Sequence, residues 1–177
     1  MIDARDALER LREGNRRFVA NTPDVALHTR RRASLVDGQF PIAIVLGCSD
    51  SRVPAELVFD QGLGDLFVIR VAGNIVAPSQ VGSVEFAATR FKTRLVVVLG
   101  HSQCGAILAT IDELRAPAAQ QSINLRSIVE RVRPSVAPLL ESTLRDDHDA
   151  LVHHAVRANV RASADHLRHG SAILEAL

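Results

Sequence analysis

The sequence has almost no net charge, few cysteines and no long apolar run. Basic and acidic side chains nearly cancel, leaving a net charge of +1. The sequence shows no basic stripe of the kind that is typical of proteins that bind nucleic acids. No apolar run approaches the roughly 20 residues that span a bilayer, and Met1–Asp6 is charged, unlike a signal peptide. We therefore expect no nucleic-acid partner, no membrane span in this segment and a cytoplasmic location.

Cysteine occurs only twice, as Cys48 and Cys104. One disulfide would suit an oxidising compartment, but without a secretory signal a metal-binding or catalytic role is favoured. Each cysteine taken alone would be read as a small buried apolar residue. The interpretation therefore depends on whether the fold brings the two thiols together.

Strand-like and helix-like patterns alternate along the chain. Apolar runs occur at 42–46, 66–71 and 95–99, and helical spacing marks 3–19 and much of the last third. Continuous apolar runs are typical of strands buried on both faces, and helices between such strands make right-handed crossovers. We predict an α/β fold: a mainly parallel central sheet flanked by helices, with an amphipathic amino-terminal helical arm.

At 177 residues, the chain is expected to form a single domain with a sizeable core. Residues 1–34 would be the arm, which packs on its own domain or reaches a partner subunit. Residues 35–116 would be the α/β core that holds the site, and residues 117–177 a helical carboxyl-terminal part. Pro134 is expected to break a helix there, because proline removes a backbone donor and clashes with the preceding turn.

The candidate site lies just after two of the strand-like runs. Cys48 follows the first run, and His101 and Cys104 follow the third. Parallel strands would bring both loops to one carboxyl edge, where open α/β sheets place their ligand sites. His101 precedes Cys104 by three residues on a short turn, so both side chains can face one ion. Together with Asp50, this set suits zinc with three firm ligands and a contested fourth position.

Asp50 and Arg52 have two interpretations. They are an exposed ion pair worth little, or they form a gate beside the metal, because residues two apart in an extended loop point to the same side. The other histidines lie in polar contexts and are expected at the surface.

The segments Gly47–Val53 and Gly100–Gly105 resemble those of the β-class carbonic anhydrases. The resemblance continues through Phe67–Asn74 and Gly82–Phe86, and back to the helix Leu8–Phe18. It implies a Zn²⁺ cofactor and reversible hydration of carbon dioxide to bicarbonate and a proton, with zinc-bound hydroxide as the nucleophile.

The resemblance also implies roles for individual residues. Cys48, His101 and Cys104 would be the permanent zinc ligands. Asp50 would occupy the fourth position in a closed form only; otherwise it pairs with Arg52, and this dyad gates and orients the nucleophile.

Further implied positions concern the substrate pocket. These are Gln39, Phe67, Phe86 and Gly105, although plain core packing is an equal alternative for the two phenylalanines. A family subtype with a regulatory bicarbonate site uses a Trp and a Tyr; this chain has neither, and Val45 stands where the Trp would be. We therefore expect an open, water-accessible zinc near neutral pH.

The implied assembly is a homodimer, or a tetramer, whose amino-terminal helix embraces the neighbour. Family members usually continue into a further strand, and this sequence ends about where it would begin. Two alternatives remain: a sister zinc hydrolase acting on another small linear substrate such as carbon disulfide, or a low-activity, zinc-stabilised regulatory domain. Asp50, Arg52 and Gln39 argue against the second, since a structural site needs only four closed ligands.

Overall fold

The central strand of the sheet is β1, Ala43–Gly47, and all five of its residues are buried. In this computed structural model, which describes residues 2–29, 33–116 and 122–176, Ile44 and Leu46 enter one core cluster while Ala43 and Val45 enter another. Because both faces of the strand are covered, every position in it can be apolar.

Two parallel strands flank β1. They are β2, Leu66–Arg70, and β3, Val96–Leu99, in the order β2-β1-β3. Gly47 lies opposite the last residue of β2 and the last residue of β3. The three strands therefore end at the same edge, as predicted for a parallel sheet.

Helices cover both faces of the sheet, which confirms the predicted α/β class. In chain order they are α1 (Ala4–Val19), α2 (Val25–Thr29), α3 (Ala55–Val58), α4 (Pro78–Arg90), α5 (Gly105–Arg115), α6 (Ile123–Leu140), α7 (His148–His169) and α8 (Ala172–Glu175), with 3₁₀ turns at Ala33–Leu35, Ala72–Asn74 and Thr143–Asp146. Buried residues of α5, α6 and α7 form a third cluster that includes both cysteines. The helical carboxyl-terminal part therefore packs directly behind the loops at the carboxyl edge.

The predicted amino-terminal helix α1 packs on its own domain. Asp3 caps it by accepting a hydrogen bond from the backbone of Arg5, and its buried face includes Leu11, which belongs to the same cluster as Val45. A Cβ at Gly14 would lie 1.7 Å from the Phe59 carbonyl oxygen, so close packing there requires glycine. Of the two alternatives for the arm, packing on its own domain is therefore the one observed for this face of α1.

The expected break at Pro134 is wrong, because α6 continues through Pro134 and Pro138. Both prolines are exposed, so the carbonyl groups that lose a backbone donor lie on the solvent side of the helix. Val132 and Val136 on the opposite side are fully buried. Tertiary packing of that apolar face offsets the local cost of proline.

No helix in the described parts of the chain is both long enough and apolar enough to cross a membrane.

Candidate metal centre

Two loops at the carboxyl edge bring Cys48, His101 and Cys104 together, as the sequence predicted. One sulfur or nitrogen atom from each residue lies within 4.8 Å of the others. The two sulfur atoms are 3.9 Å apart, well beyond the roughly 2.05 Å of a disulfide bond, and both cysteines are free and buried. The arrangement offers two sulfur donors and one nitrogen donor to a common point.

The imidazole of His101 is held in the tautomer that a metal ligand needs. Its Nδ1 lies 2.9 Å from the carbonyl oxygen of Ser102; because a carbonyl only accepts, Nδ1 carries the hydrogen. Nε2 therefore keeps its lone pair, and this buried atom has no hydrogen-bond partner. Buried polar atoms are normally paired, and a metal ion at this point would give Nε2 a partner. Two thiolates and one imidazole are a donor set that fits zinc.

The two thiols perturb each other. The pKa of Cys48 is lowered, first by the hydrogen bond from Cys104 and further by backbone N–H groups, among them that of Gly73. The pKa of Cys104 is raised by the same sulfur–sulfur contact and by burial. The metal-free pair therefore loses one proton easily and holds the second. Since metal ligation requires both thiolates, binding releases that second proton.

Asp50 and Arg52 form a bidentate pair beside this cluster. Asp50 Oδ1 accepts from Arg52 Nε at 2.8 Å and Oδ2 accepts from Arg52 Nη2 at 2.7 Å. These bonds hold the pKa of Asp50 well below its usual range, so the carboxylate is ionised at neutral pH. Its Oδ2 is 3.9 Å from His101 Nε2, and Arg52 Nη2 also donates to the Gln103 carbonyl at 3.2 Å. The pair therefore lies against the cluster and bridges the two loops.

Arg70 and Gly73 also serve the site, although sequence reasoning did not assign them to it. Arg70, the last residue of β2, donates from Nε to the Cys48 carbonyl at 2.9 Å and from Nη2 to the Asp50 carbonyl at 2.6 Å. The backbone N–H of Gly73 donates to Cys48 Sγ at 3.3 Å. The available signal was their position, since both lie at the carboxyl end of a strand next to β1.

Gln39 and the two phenylalanines are not brought to the cluster within one chain. Gln39 precedes β1 and Cys48 follows it, so the length of this strand, about 17 Å for five residues, separates them. Phe67, Phe86 and Phe91 form a ring cluster with centroids 5.7 to 6.3 Å apart. Phe86 is 53% exposed, so it is not a plain core residue.

Gly105 is the one predicted pocket residue that lies next to a cluster member. It opens α5 immediately after Cys104. It is exposed, and a Cβ there would meet nothing within 4 Å. The surface beside Cys104 is therefore open.

Comparisons with known proteins agree with these features. A family model described as "Carbonic anhydrase" matches residues 43–177. The carbonic anhydrase of Mycolicibacterium smegmatis is 49% identical over 134 residues, which cover 73% of this chain and 63% of the relative. Carbonic anhydrase 2 of Mycobacterium tuberculosis is 47% identical with the same coverage. The chain thus spans less than two thirds of the length of these curated relatives.

Solved structures share the fold. The β-carbonic anhydrase CcaA superposes with a TM-score of 0.72 at 25% identity, covering 97% of this chain and 77% of that one. A tetrameric β-carbonic anhydrase from Sordaria macrospora superposes with a TM-score of 0.73 at 22% identity, covering 97% and 85%. With a family match over most of its length, a donor cluster at the expected loops and this shared fold, the chain belongs to the β-class carbonic anhydrase family.

Proposed function

We propose that this chain is a zinc-dependent carbonic anhydrase that catalyses the reversible hydration of carbon dioxide to bicarbonate and a proton. Family membership supports this activity. The observation that carries it is the convergence of Cys48, His101 and Cys104 beside an ionised Asp50 that is paired with Arg52. A purely structural metal site would have no use for such a pair.

Zinc would be held by the sulfur atoms of Cys48 and Cys104 and by Nε2 of His101. When bound, zinc acts as a Lewis acid that makes water available as a nucleophile near neutral pH. Three protein ligands leave one position open for this purpose. The exposed Gly105 next to Cys104, with open space where a Cβ would lie, would give access to this position.

Asp50 is the residue that can close or open the remaining position. Its carboxylate is ionised and lies close to His101 Nε2, so it would compete for the ion. Arg52 opposes this by donating to both carboxylate oxygens, and charge-assisted bidentate bonds are among the stronger hydrogen bonds. Arg52 is itself anchored to the Gln103 carbonyl. These contacts favour the open form near neutral pH.

In the open form Asp50 orients the nucleophile. A carboxylate oxygen held by Arg52 still has a lone pair that can accept a hydrogen bond from the attacking oxygen. This bond fixes the direction in which that oxygen presents its own lone pair to the carbon of carbon dioxide. Arg52 keeps the carboxylate charged, so Asp50 acts as an acceptor and not as a donor.

The pocket around the site is completed by a second copy of the chain. Gln39 is a strand's length away from the metal-ligand cluster of its own chain. Phe86, which packs against Phe67, is exposed and leaves an apolar surface uncovered. A homodimer would cover Phe86 and could place Gln39 of the partner subunit near the carboxyl edge, as a donor to the substrate oxygen. A tetramer of two such dimers would match the assembly named for the Sordaria macrospora protein.

The whole described chain acts as one domain in this proposal. The arm packs on the sheet through Leu11, and the carboxyl-terminal helices share one core cluster with Cys48 and Cys104. The domain would work in the cytoplasm, where both thiols stay reduced and free to bind metal.

Stopped-flow measurement of carbon dioxide hydration by the zinc-loaded protein tests the proposal. We expect turnover that disappears when zinc is removed and returns when it is restored. Carbon disulfide supplied in parallel identifies the sister hydrolase: hydrolysis of carbon disulfide without hydration of carbon dioxide would contradict the proposal. Absence of both activities in fully loaded protein would favour a regulatory domain.

A further inference from the structure

One of the two sulfur atoms accepts a hydrogen bond from a loop outside both ligand-bearing segments. Gly73, in the 3₁₀ turn Ala72–Asn74, donates its backbone N–H to Cys48 Sγ at 3.3 Å. Gly73 has a φ of +72°, and a Cβ there would lie 2.9 Å from the Cβ of Ala106. Glycine is needed for this conformation, yet glycine is also the residue least able to hold a conformation by itself.

Helix α7 supplies what holds this turn. Asn159 Nδ2 donates to the Gly73 carbonyl at 2.7 Å, and Ser163 Oγ, one helical turn later, donates to the Asn74 carbonyl at 2.9 Å. Both side chains are buried, with Asn159 only 2% exposed. Two successive carbonyl groups of the turn are thus bound from one face of a helix 86 or more residues further along the chain.

The same helix packs against the other ligand-bearing segment. A Cβ at Gly100, the residue before His101, would lie 2.5 Å from Cγ2 of Val160. Neighbouring positions of α7 therefore contact the turn behind Cys48 and the backbone that leads to His101. The helix is placed to set the relative position of the two loops.

A buried asparagine in a helix has a free-energy cost unless its amide is paired. A hydrophobic residue at this position would pack against the turn without that cost, but it would leave the Gly73 carbonyl unpaired. Asn159 binds that carbonyl and so holds the Gly73–Asn74 peptide group, which is joined through the Cα of Gly73 to the peptide group whose N–H points at Cys48 Sγ. Hydrogen bonds to a ligand atom from outside the ligand set orient it and tune its donor strength.

We propose that Asn159 is a positioning residue for the metal centre: by binding the Gly73 carbonyl it keeps the Gly73 N–H directed at Cys48 Sγ. The inference rests on the proposed metal site, since the sulfur it orients would be a ligand. Ser163 binds the adjacent carbonyl, but it has no hydrogen-bonded link to a sulfur atom. It is therefore the matched control within the same helix.

Metal affinity separates positioning from simple packing. Zinc dissociation constants would be measured by competition with a chromophoric chelator for the wild type, Asn159→Ala and Ser163→Ala. We expect zinc to bind about 10- to 100-fold more weakly to Asn159→Ala, and only a few-fold more weakly at most to Ser163→Ala. Equal losses in the two variants, or no loss in either, would overturn the inference.

Cobalt substitution supplies a spectroscopic readout that a packing defect would not move. Loss of an N–H···S bond raises the energy of the sulfur lone pairs, so the thiolate-to-cobalt charge-transfer band should shift to longer wavelength in Asn159→Ala. The band should stay in place in Ser163→Ala. An unshifted band in both variants contradicts the proposed link.

A measurement on the wild type keeps the inference testable if Asn159→Ala does not fold. With ¹¹³Cd at the site, through-bond coupling between the Gly73 amide proton and the metal is expected in an NMR correlation spectrum. A bound ¹¹³Cd ion without this coupling overturns the inference and leaves the proposed function standing. Failure of the wild type to bind one metal ion per chain overturns both.

Discussion

The two ends of the sheet differ in how much of a site one chain provides. At the carboxyl end, Cys48, His101 and Cys104 converge, and Cys48 Sγ and His101 Nδ1 already have hydrogen-bond partners in Gly73 and Ser102. Toward the amino end, Phe40 is 84% exposed and Phe86 is 53% exposed. The difference fits the proposal in which metal binding belongs to the single chain, whereas a second copy would complete the substrate pocket.

The largest effect is expected from Cys104→Ser, which removes one donor from the carboxyl end. Zinc content after dialysis should fall to near zero, and hydration should be lost with it, because thiolate ligands dominate such a site. Metal analysis and stopped-flow assay give the two readouts. The control is Ile107→Val, a buried change on the same helix α5, which should retain zinc. A Cys104→Ser protein with full zinc content would contradict a metal centre at this end of the sheet.

The next largest effect is expected from Asp50→Asn. The amide has the shape of the carboxylate but no charge for Arg52, so turnover should fall by about 10²-fold, the cost expected when a reacting group loses its orientation. Zinc content should not change. Asp112→Asn, at an exposed position on α5, is the control. Turnover that survives Asp50→Asn would eliminate the dyad as a gate.

Phe86→Ser tests whether the apolar surface is an interface. An aromatic side chain buried between subunits is worth about 2 kcal/mol or more, so the dimer dissociation constant should rise at least about 30-fold. Sedimentation velocity measures this, and zinc content should be unchanged. Leu125→Ser, with 58% exposure on α6, should leave the dimer intact; equal behaviour of the two variants would contradict a specific interface at Phe86.

Gln39→Ala tests whether the amino end serves the partner's site. Loss of one hydrogen bond to the substrate should lower kcat/KM about 10-fold. Co-expression with Cys104→Ser should then recover activity. In each mixed C₂ dimer one of the two sites combines an intact metal centre with an intact Gln39, and since about half of randomly paired dimers are mixed, about a quarter of all sites are restored. If co-expression recovers nothing, Gln39 does not act across the interface.

The smallest effect concerns the pH dependence of the Asp50–Arg52 pair. Because the pKa of Asp50 is lowered in the folded state, chiefly by hydrogen bonds from Arg52, the pair stabilises the protein above the ordinary aspartate pKa of about 3.9. This contribution is lost as the pH falls below that value towards the lowered one. Urea unfolding of metal-free wild type and Asp50→Asn should therefore differ at pH 7 and converge below pH 4; a difference independent of pH would show that the pair contributes nothing through its charge.

Local patterns predicted the sheet and the donor residues but not the contacts that support them. Apolar runs before Cys48 and before His101 were enough to predict parallel strands ending at one edge. Asn159 carries no comparable signal and Arg70 only its position at the end of a strand, because a hydrogen bond between residues 22 or 86 positions apart leaves no periodic trace. The break predicted at Pro134 failed for a related reason: burial of Val132 and Val136 outweighed a local rule.

By itself, the sequence determined the fold class, the three donor residues and the loops that carry them, because strand patterns and donor spacing are local properties of the chain. Only the tertiary structure decided which nitrogen of His101 is left free, how Arg70 and Gly73 hold the loop and the sulfur of Cys48, and that α7 reaches the site. It also placed Gln39 a strand's length away from the cluster. These features depend on distances between segments far apart in the chain, which are set only when the helices and the sheet pack into one core.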